Sequence, residues 1–128
     1  MKATGGAKHT TVLVADDSAA SRELIRTILE RDAYNVVEAV DGCEALRKAR
    51  EIQPDLILLD IQMPSLDGFG VIGMLRADPM FAATPVVAIT ASAMHGDRER
   101  ALAAGFTSYI TKPVRLAVLR TELARLLG

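Results

Sequence analysis

Two hydrophobic patterns alternate along this chain. Short apolar runs rich in β-branched residues occur at Thr11–Ala15, Tyr34–Glu38, Leu56–Leu59, Val86–Thr90 and Ser108–Ile110. The first, third and fourth are apolar on both faces, which predicts central strands of a parallel sheet covered on both sides. The second and fifth are shorter or more polar and are expected at the edges. Between the runs, apolar residues recur every three or four positions and predict helices. The stripes are Leu24, Ile25, Ile28 and Leu29; Ala45, Leu46, Ala49 and Ile52; Phe69, Ile72 and Leu75; and Leu119, Leu123, Leu126 and Leu127. A further helix is expected over 98–104.

The punctuation agrees with this alternation. Ser18 is a helix cap by residue type. Pro54 and Pro85 each stand just before a strand, and Gly105 suits the end of the helix over 98–104. Asp41-Gly42 and Asp67-Gly68 read as turns. Strand and helix in strict alternation predict an α/β fold, a doubly wound sheet with helices on both faces.

Composition narrows the function. The chain has 128 residues, half of them hydrophobic, with 24% charged and a formal net charge of −1. That length suits one domain, read as 11–127 behind a flexible leader over 1–10, with no output domain. The charge balance gives no reason to expect direct nucleic-acid binding. No apolar run approaches the roughly 20 residues that span a bilayer, and no signal-peptide segment stands at the N-terminus. A cytoplasmic protein with no membrane partner is therefore expected. Cys43 is the single cysteine, which excludes an internal disulfide; it reads as a packing residue at a helix start. His9 and His95 have no partner at metal-ligand spacing and read as surface residues.

Sites in such sheets form beyond the carboxyl ends of the strands. Asp16-Asp17 follow the first strand, Asp60 the third, Thr90 ends the fourth, and Thr111-Lys112-Pro113 follow the fifth. Three carboxylates drawn together repel unless a cation intervenes, and Mg2+ suits an incomplete shell of carboxylates completed by water and phosphate oxygens. An ammonium from Lys112 and a hydroxyl from Thr90 could neutralise a transferring phosphoryl group. A carboxylate can be the nucleophile, forming an aspartyl phosphate, and Asp60, after the most apolar strand, is the best placed.

Together Asp16-Asp17, Asp60 to Gly68 (DIQMPSLDG), Thr90-Ala91 and Tyr109 to Pro113 (YITKP) resemble the receiver domain of two-component response regulators, over about 11–127. The stretch 88–113 is especially similar to stand-alone cell-cycle regulators and to the receivers of hybrid histidine kinases. The resemblance implies a chemotaxis-regulator-like, flavodoxin-like three-layer sandwich, (βα)5, with strand order 2-1-3-4-5. It implies that Asp60 accepts phosphate from a phosphohistidine on a histidine kinase or histidine phosphotransfer protein. Asp17, Asp60 and the backbone carbonyl of Gln62 would bind Mg2+ directly, and Asp16 mainly through water. Lys112 and Thr90 would contact the phosphoryl group, with small Ala91 leaving access to the pocket. Thr90 and Tyr109 would form a conformational switch that alters the face of the fourth helix, fifth strand and fifth helix, where a downstream target binds. Pro113 would follow Lys112 through a cis peptide bond. Gln62 and Ser92 occupy positions that vary in the family and tune dephosphorylation.

Such a module would catalyse only its own phosphorylation and dephosphorylation. Two other readings compete. A haloacid-dehalogenase-like phosphatase would place a second aspartate two residues after the nucleophile, where this chain has Gln62, and would need length for a cap domain. A scaffold that binds partners without phosphorylation would lack the acidic pair, the acceptor or the lysine, all of which are present.

Overall fold

The computed structural model describes residues 10–91 and 96–128. The leader expected over 1–10 therefore lies outside the described residues except at Thr10, as do Ser92 and His95.

Five parallel strands form one sheet: β1 Thr11–Ala15, β2 Asn35–Ala39, β3 Leu56–Asp60, β4 Val86–Thr90 and β5 Ser108–Thr111, in the order β2-β1-β3-β4-β5. The helices are α1 Ala19–Arg31, α2 Gly42–Ile52, α3 Gly68–Ala77, α4 Asp97–Ala104 and α5 Leu116–Leu127. A short 3-10 turn, Pro79–Phe81, follows α3 and buries Phe81; its three residues are too few to show a helical period. β2 begins one residue later than the apolar run suggests, at Asn35.

Alternation along the strands splits the core into two layers. Leu13, Ile57, Leu59 and Ala88 face α2, α3 and α4, where Ala45, Leu46, Val71, Ile72 and Ala101 close the packing. Val12, Val14, Leu58 and Ile89 face α1 and α5, against Ile25, Ile28, Leu29, Leu119 and Leu123. β3 and β4 are buried at every residue, as central strands covered on both faces must be.

Three details differ from the hydrophobic spacing. Leu24 is 48% exposed and Ile52 38% exposed, so neither belongs to the buried stripe of its helix. Cys43 lies at the start of α2 but is exposed, so it is not the packing residue that its position suggests. Asp41-Gly42 and Asp67-Gly68 are more than turns: each aspartate caps a helix with its side chain, accepting from Glu44 N and Gly70 N respectively, and each glycine is the first helical residue. Ser18 caps α1 by accepting from Ser21 N, and Gly105, at φ 116°, ends α4.

Candidate active site

The sheet register sets the site. Ala15 pairs with Leu59, Asp60 with Ile89 and Thr90 with Thr111, so β1, β3, β4 and β5 end at one level. The ladder continues past the strand ends through Ile61 N to the Ile89 carbonyl at 3.0 Å and Lys112 N to the Thr90 carbonyl at 2.7 Å. These bonds fix the backbone of the loops that carry the polar side chains.

Asp60, 3% exposed, closes the buried strand β3. Its Oδ1 accepts the Gln62 N–H at 2.9 Å and its Oδ2 accepts from Lys112 Nζ at 3.0 Å. Asp16, 1% exposed, uses Oδ1 to accept the Ser18 N–H at 2.8 Å. Its Oδ2 lies 2.9 Å from Lys112 Nζ as an ion pair, but is buried and accepts no hydrogen bond. Asp17 is exposed at the mouth. Carboxylate oxygens of Asp16, Asp17 and Asp60 all lie within 4.8 Å of one another. The Lys112–Pro113 peptide is cis. The structure thus brings Asp16, Asp17, Asp60, Gln62, Thr90 and Lys112 to one end of the sheet.

Electrostatics follow from this crowding. Burial pushes the Asp60 carboxyl above the ordinary range; the Gln62 N–H and Lys112 pull it back and Asp16 pushes it further up, with a net rise. Burial pulls Lys112 down, but the carboxylates of Asp16 and Asp60 outweigh it and its pKa is raised. One ammonium therefore pairs with two of the three carboxylates and leaves Asp17 without it. The donor set is all oxygen, it carries excess negative charge, and one buried oxygen lacks a hydrogen bond. These are the properties a small hard divalent cation requires, so the residues fit Mg2+.

Thr90, 3% exposed, stands at the end of β4. Ala88 pairs with Tyr109, so Thr90 and Tyr109 share the sheet face that packs on α4. Tyr109 is partly buried, and burial together with the charges of Asp97 and Glu99 raises its pKa. A cavity of about 530 Å3 opens beside Thr90, with Gln62, Met63, Phe69, Asp97 and Arg100 among its walls. A second, of about 380 Å3, lies between Lys112-Pro113 and α1, with Leu24 among its walls.

Several contributors were not legible in the sequence. Arg22 reaches back from α1 to donate to the Asp16 carbonyl at 2.8 Å and to Glu38 Oε1 at 3.1 Å, which fixes the turn bearing the acidic pair. Arg100, which reads as part of a solvated helix face, is exposed yet stacks 4.9 Å from the Phe69 ring centre, and Phe69 meets Phe106 edge-on at 6.1 Å. Gly68 folds back so closely that a Cβ would stand 2.6 Å from Ile61 Cα and 2.9 Å from the Asp60 carbonyl oxygen. The DG dipeptide at 67–68 was the available signal, though it read only as a turn.

The sequence profile of the response regulator receiver domain matches residues 12–124. The chain belongs to the response regulator receiver domain family. It is 40% identical, over 104 residues, to the polar-differentiation response regulator DivK of Brucella anthropi, covering 81% of this chain and 85% of that protein. Among solved structures, the chemotaxis response regulator CheY4 of Vibrio cholerae superposes with a TM-score of 0.86 at 30% identity, over 92% of this chain and 98% of that one. The receiver domain of a sensor histidine kinase from Pseudomonas aeruginosa PAO1, described with a magnesium ion coordinated in its active-site cleft, gives 0.87 at 34% identity, over 94% and 98%. This receiver domain is therefore a signalling module of the two-component type with the chemotaxis-regulator fold. Among the described residues no helix is long and apolar enough to cross a membrane.

Proposed function

We propose that the receiver takes a phosphoryl group from a phosphohistidine onto Asp60 in a Mg2+-dependent reaction, and that the resulting aspartyl phosphate changes the α4-β5-α5 surface on which a target protein binds. The observation that carries this reading is the shared ammonium. Lys112 Nζ stands 2.9 Å from Asp16 and 3.0 Å from Asp60, inside a cluster of three carboxylates that it cannot neutralise alone.

A carboxylate oxygen of Asp60 attacks phosphorus as the phosphorus–nitrogen bond to the donor imidazole breaks, and the imidazole leaves with a proton from solvent. Asp17, Asp60 and the Gln62 carbonyl would hold Mg2+ directly and Asp16 would reach it through water, and the ion so held would supply positive charge for the phosphoryl oxygens. Lys112 then leaves its direct bond to Asp60 Oδ2 and pairs with a phosphoryl oxygen, while the Thr90 hydroxyl donates to another. Tyr109 lies on the same sheet face as Thr90, two residues back along the β4–β5 ladder, so movement of the hydroxyl frees space into which the ring turns. The partners implied are a histidine kinase or histidine phosphotransfer protein upstream and a protein target downstream. The compartment consistent with such partners is the cytoplasm.

Incubation with Mg2+ and a small phosphodonor, followed by intact-mass measurement, should show one phosphoryl adduct that Asp60→Asn abolishes. Beryllofluoride with Mg2+ should shift the NMR signals of Asp60, Thr90 and Tyr109. Persistent absence of the adduct would leave a phosphorylation-independent scaffold; turnover of a generic phosphate ester would instead point to a phosphohydrolase.

A further inference from the structure

The two loops that carry the proposed cation ligands, Asp16-Asp17 after β1 and Ile61–Asp67 after β3, each touch a third segment that holds no ligand: the corner between β2 and α2. On the β1 side, the Ala39 carbonyl accepts from Asp16 N at 3.1 Å, and Glu38 holds the Arg22 guanidinium that also donates to the Asp16 carbonyl. Lys48 Nζ donates to the Glu38 carbonyl at 2.6 Å, which ties the corner to α2 itself. On the β3 side, Gly42, the first residue of α2, lies against the Leu66 backbone. A Cβ on Gly42 would run into the Leu66 carbonyl oxygen and stand 2.9 Å from its carbonyl carbon and Cβ. The Leu66 side chain is gripped from the other side by Gly70, where a Cβ would run into Leu66 Cδ1.

We propose that the β2–α2 corner aligns the two ligand-bearing loops, with Gly42 as a positioning residue whose missing side chain sets the depth at which the Leu66 segment sits. The proposal rests on the Mg2+-dependent reading above. Packing decides which side yields when Gly42 is enlarged. α2 is anchored by buried Ala45, Leu46 and Ala49 and by the Asp41 cap, whereas the 61–67 loop lies largely on the surface with Ser65 at φ 69°. A methyl group on Gly42 therefore displaces the loop, carrying the Gln62 backbone away from Asp60 and the acidic pair. Groups that only orient metal ligands commonly change affinity by about 10- to 100-fold.

The test is a Mg2+ titration of the full chain, followed by backbone-amide NMR at Asp17 and Gln62, without any phosphodonor. Gly42→Ala is expected to weaken Mg2+ binding about tenfold or more, and Leu66→Ala, which releases the grip of Gly70 without overpacking, about threefold. Leu119→Ala, in the opposite core layer, should lower the melting temperature but leave the Mg2+ dissociation constant within twofold of wild type. Gly73→Ala, with open space at its Cβ, should change neither. Wild-type affinity in Gly42→Ala, or a loss no greater than that in Leu119→Ala, overturns the proposal and leaves the phosphoacceptor reading intact. If Gly42→Ala does not fold, unchanged affinity in Leu66→Ala overturns it. A wild-type chain that binds no Mg2+ overturns both.

Discussion

In the absence of divalent cation, Asp60→Asn should stabilise this protein even though it removes the phosphoacceptor. At an effective dielectric near 20, an ammonium 3.0 Å from the Asp60 carboxylate is worth roughly 5–6 kcal/mol, and each carboxylate within 4.8 Å costs at least about 3–4 kcal/mol. Two such neighbours, Asp16 and Asp17, offset the one attraction even after allowing for the screening of exposed Asp17. The burial that raises the Asp60 pKa is then uncompensated. Asparagine keeps an acceptor for the Gln62 N–H, and Lys112 keeps Asp16 at 2.9 Å. A gain of about 1–2 kcal/mol is expected, since neutralising imperfectly paired buried charge is often stabilising by this amount. For a domain of this size it raises the melting temperature by roughly 4–7 °C. The sign with pH follows from the raised pKa: the stability linked to Asp60 is present below the ordinary carboxylate range and lost as pH rises through its raised folded value. The advantage of asparagine is therefore full at neutral pH and fades on acidification. Urea and thermal unfolding in EDTA, at neutral pH and at about pH 4, measure it. Saturating Mg2+ should return the lead to wild type, because a ligand at 100 times its dissociation constant adds about 2.7 kcal/mol. An asparagine variant less stable than wild type in EDTA at neutral pH, or a gain undiminished by acid, would refute the charge reasoning.

Three further outcomes follow from other parts of the structure. Arg76, its pKa lowered by burial, donates to the carbonyls of Gly105, Phe81 and Thr84 and to Thr107 Oγ1; Arg76→Ala should cost about 2–4 kcal/mol in urea unfolding, and Arg76→Lys should recover little because one ammonium cannot span those oxygens. Glu122 is held below the usual carboxylate range by Arg125, against burial, with help from the Ser108 hydroxyl; its stabilisation is present above the ordinary glutamate pKa and lost as pH falls through the lowered value, so Glu122→Gln should flatten the acid limb of a stability–pH profile. The exposed bidentate pair Arg120–Asp32, at 2.8 and 2.9 Å between α5 and the end of α1, should show little coupling in a double-mutant cycle, and that little should fade with salt.

Much of this fold was legible because its central strands are buried on both faces. Leu56–Leu59 and Val86–Thr90 read as unbroken apolar runs, and a run of that kind has few places to go except the centre of a covered parallel sheet. Helix faces were legible to the extent that each must bury a stripe, and the exceptions have a physical reason. Leu24 fits the helical period yet stays in solvent, because the period counts hydrophobic residues and cannot distinguish a core from the apolar mouth of a cleft. The two Asp-Gly pairs failed in the opposite way. They carry turn chemistry, and the same side-chain oxygen that makes a turn also caps a helix, so a cap followed by a first-turn glycine reads locally as a loop.

The site was legible for a stricter reason. Once parallel order is granted, the carboxyl ends of β1, β3, β4 and β5 must lie at one edge, and the polar residues just past them converge whatever the loops do. Asp16, Asp17, Asp60, Thr90 and Lys112 are all of this kind. Arg22 and Gly42 are not. Each meets a main-chain carbonyl at the site, that of Asp16 or of Leu66, and a carbonyl leaves no mark of its own in a sequence. The residues that perform chemistry here are thus readable from strand ends, while those that hold the chemistry in register are visible only in three dimensions. That difference predicts where substitution would mislead a reader of the sequence alone. A methyl group at Gly42 changes no charge and no side chain proposed for phosphotransfer, yet it falls on a segment that touches both ligand-bearing loops. A change as large as Asp60→Asn, by contrast, leaves the architecture intact and, by the electrostatics above, firmer than before.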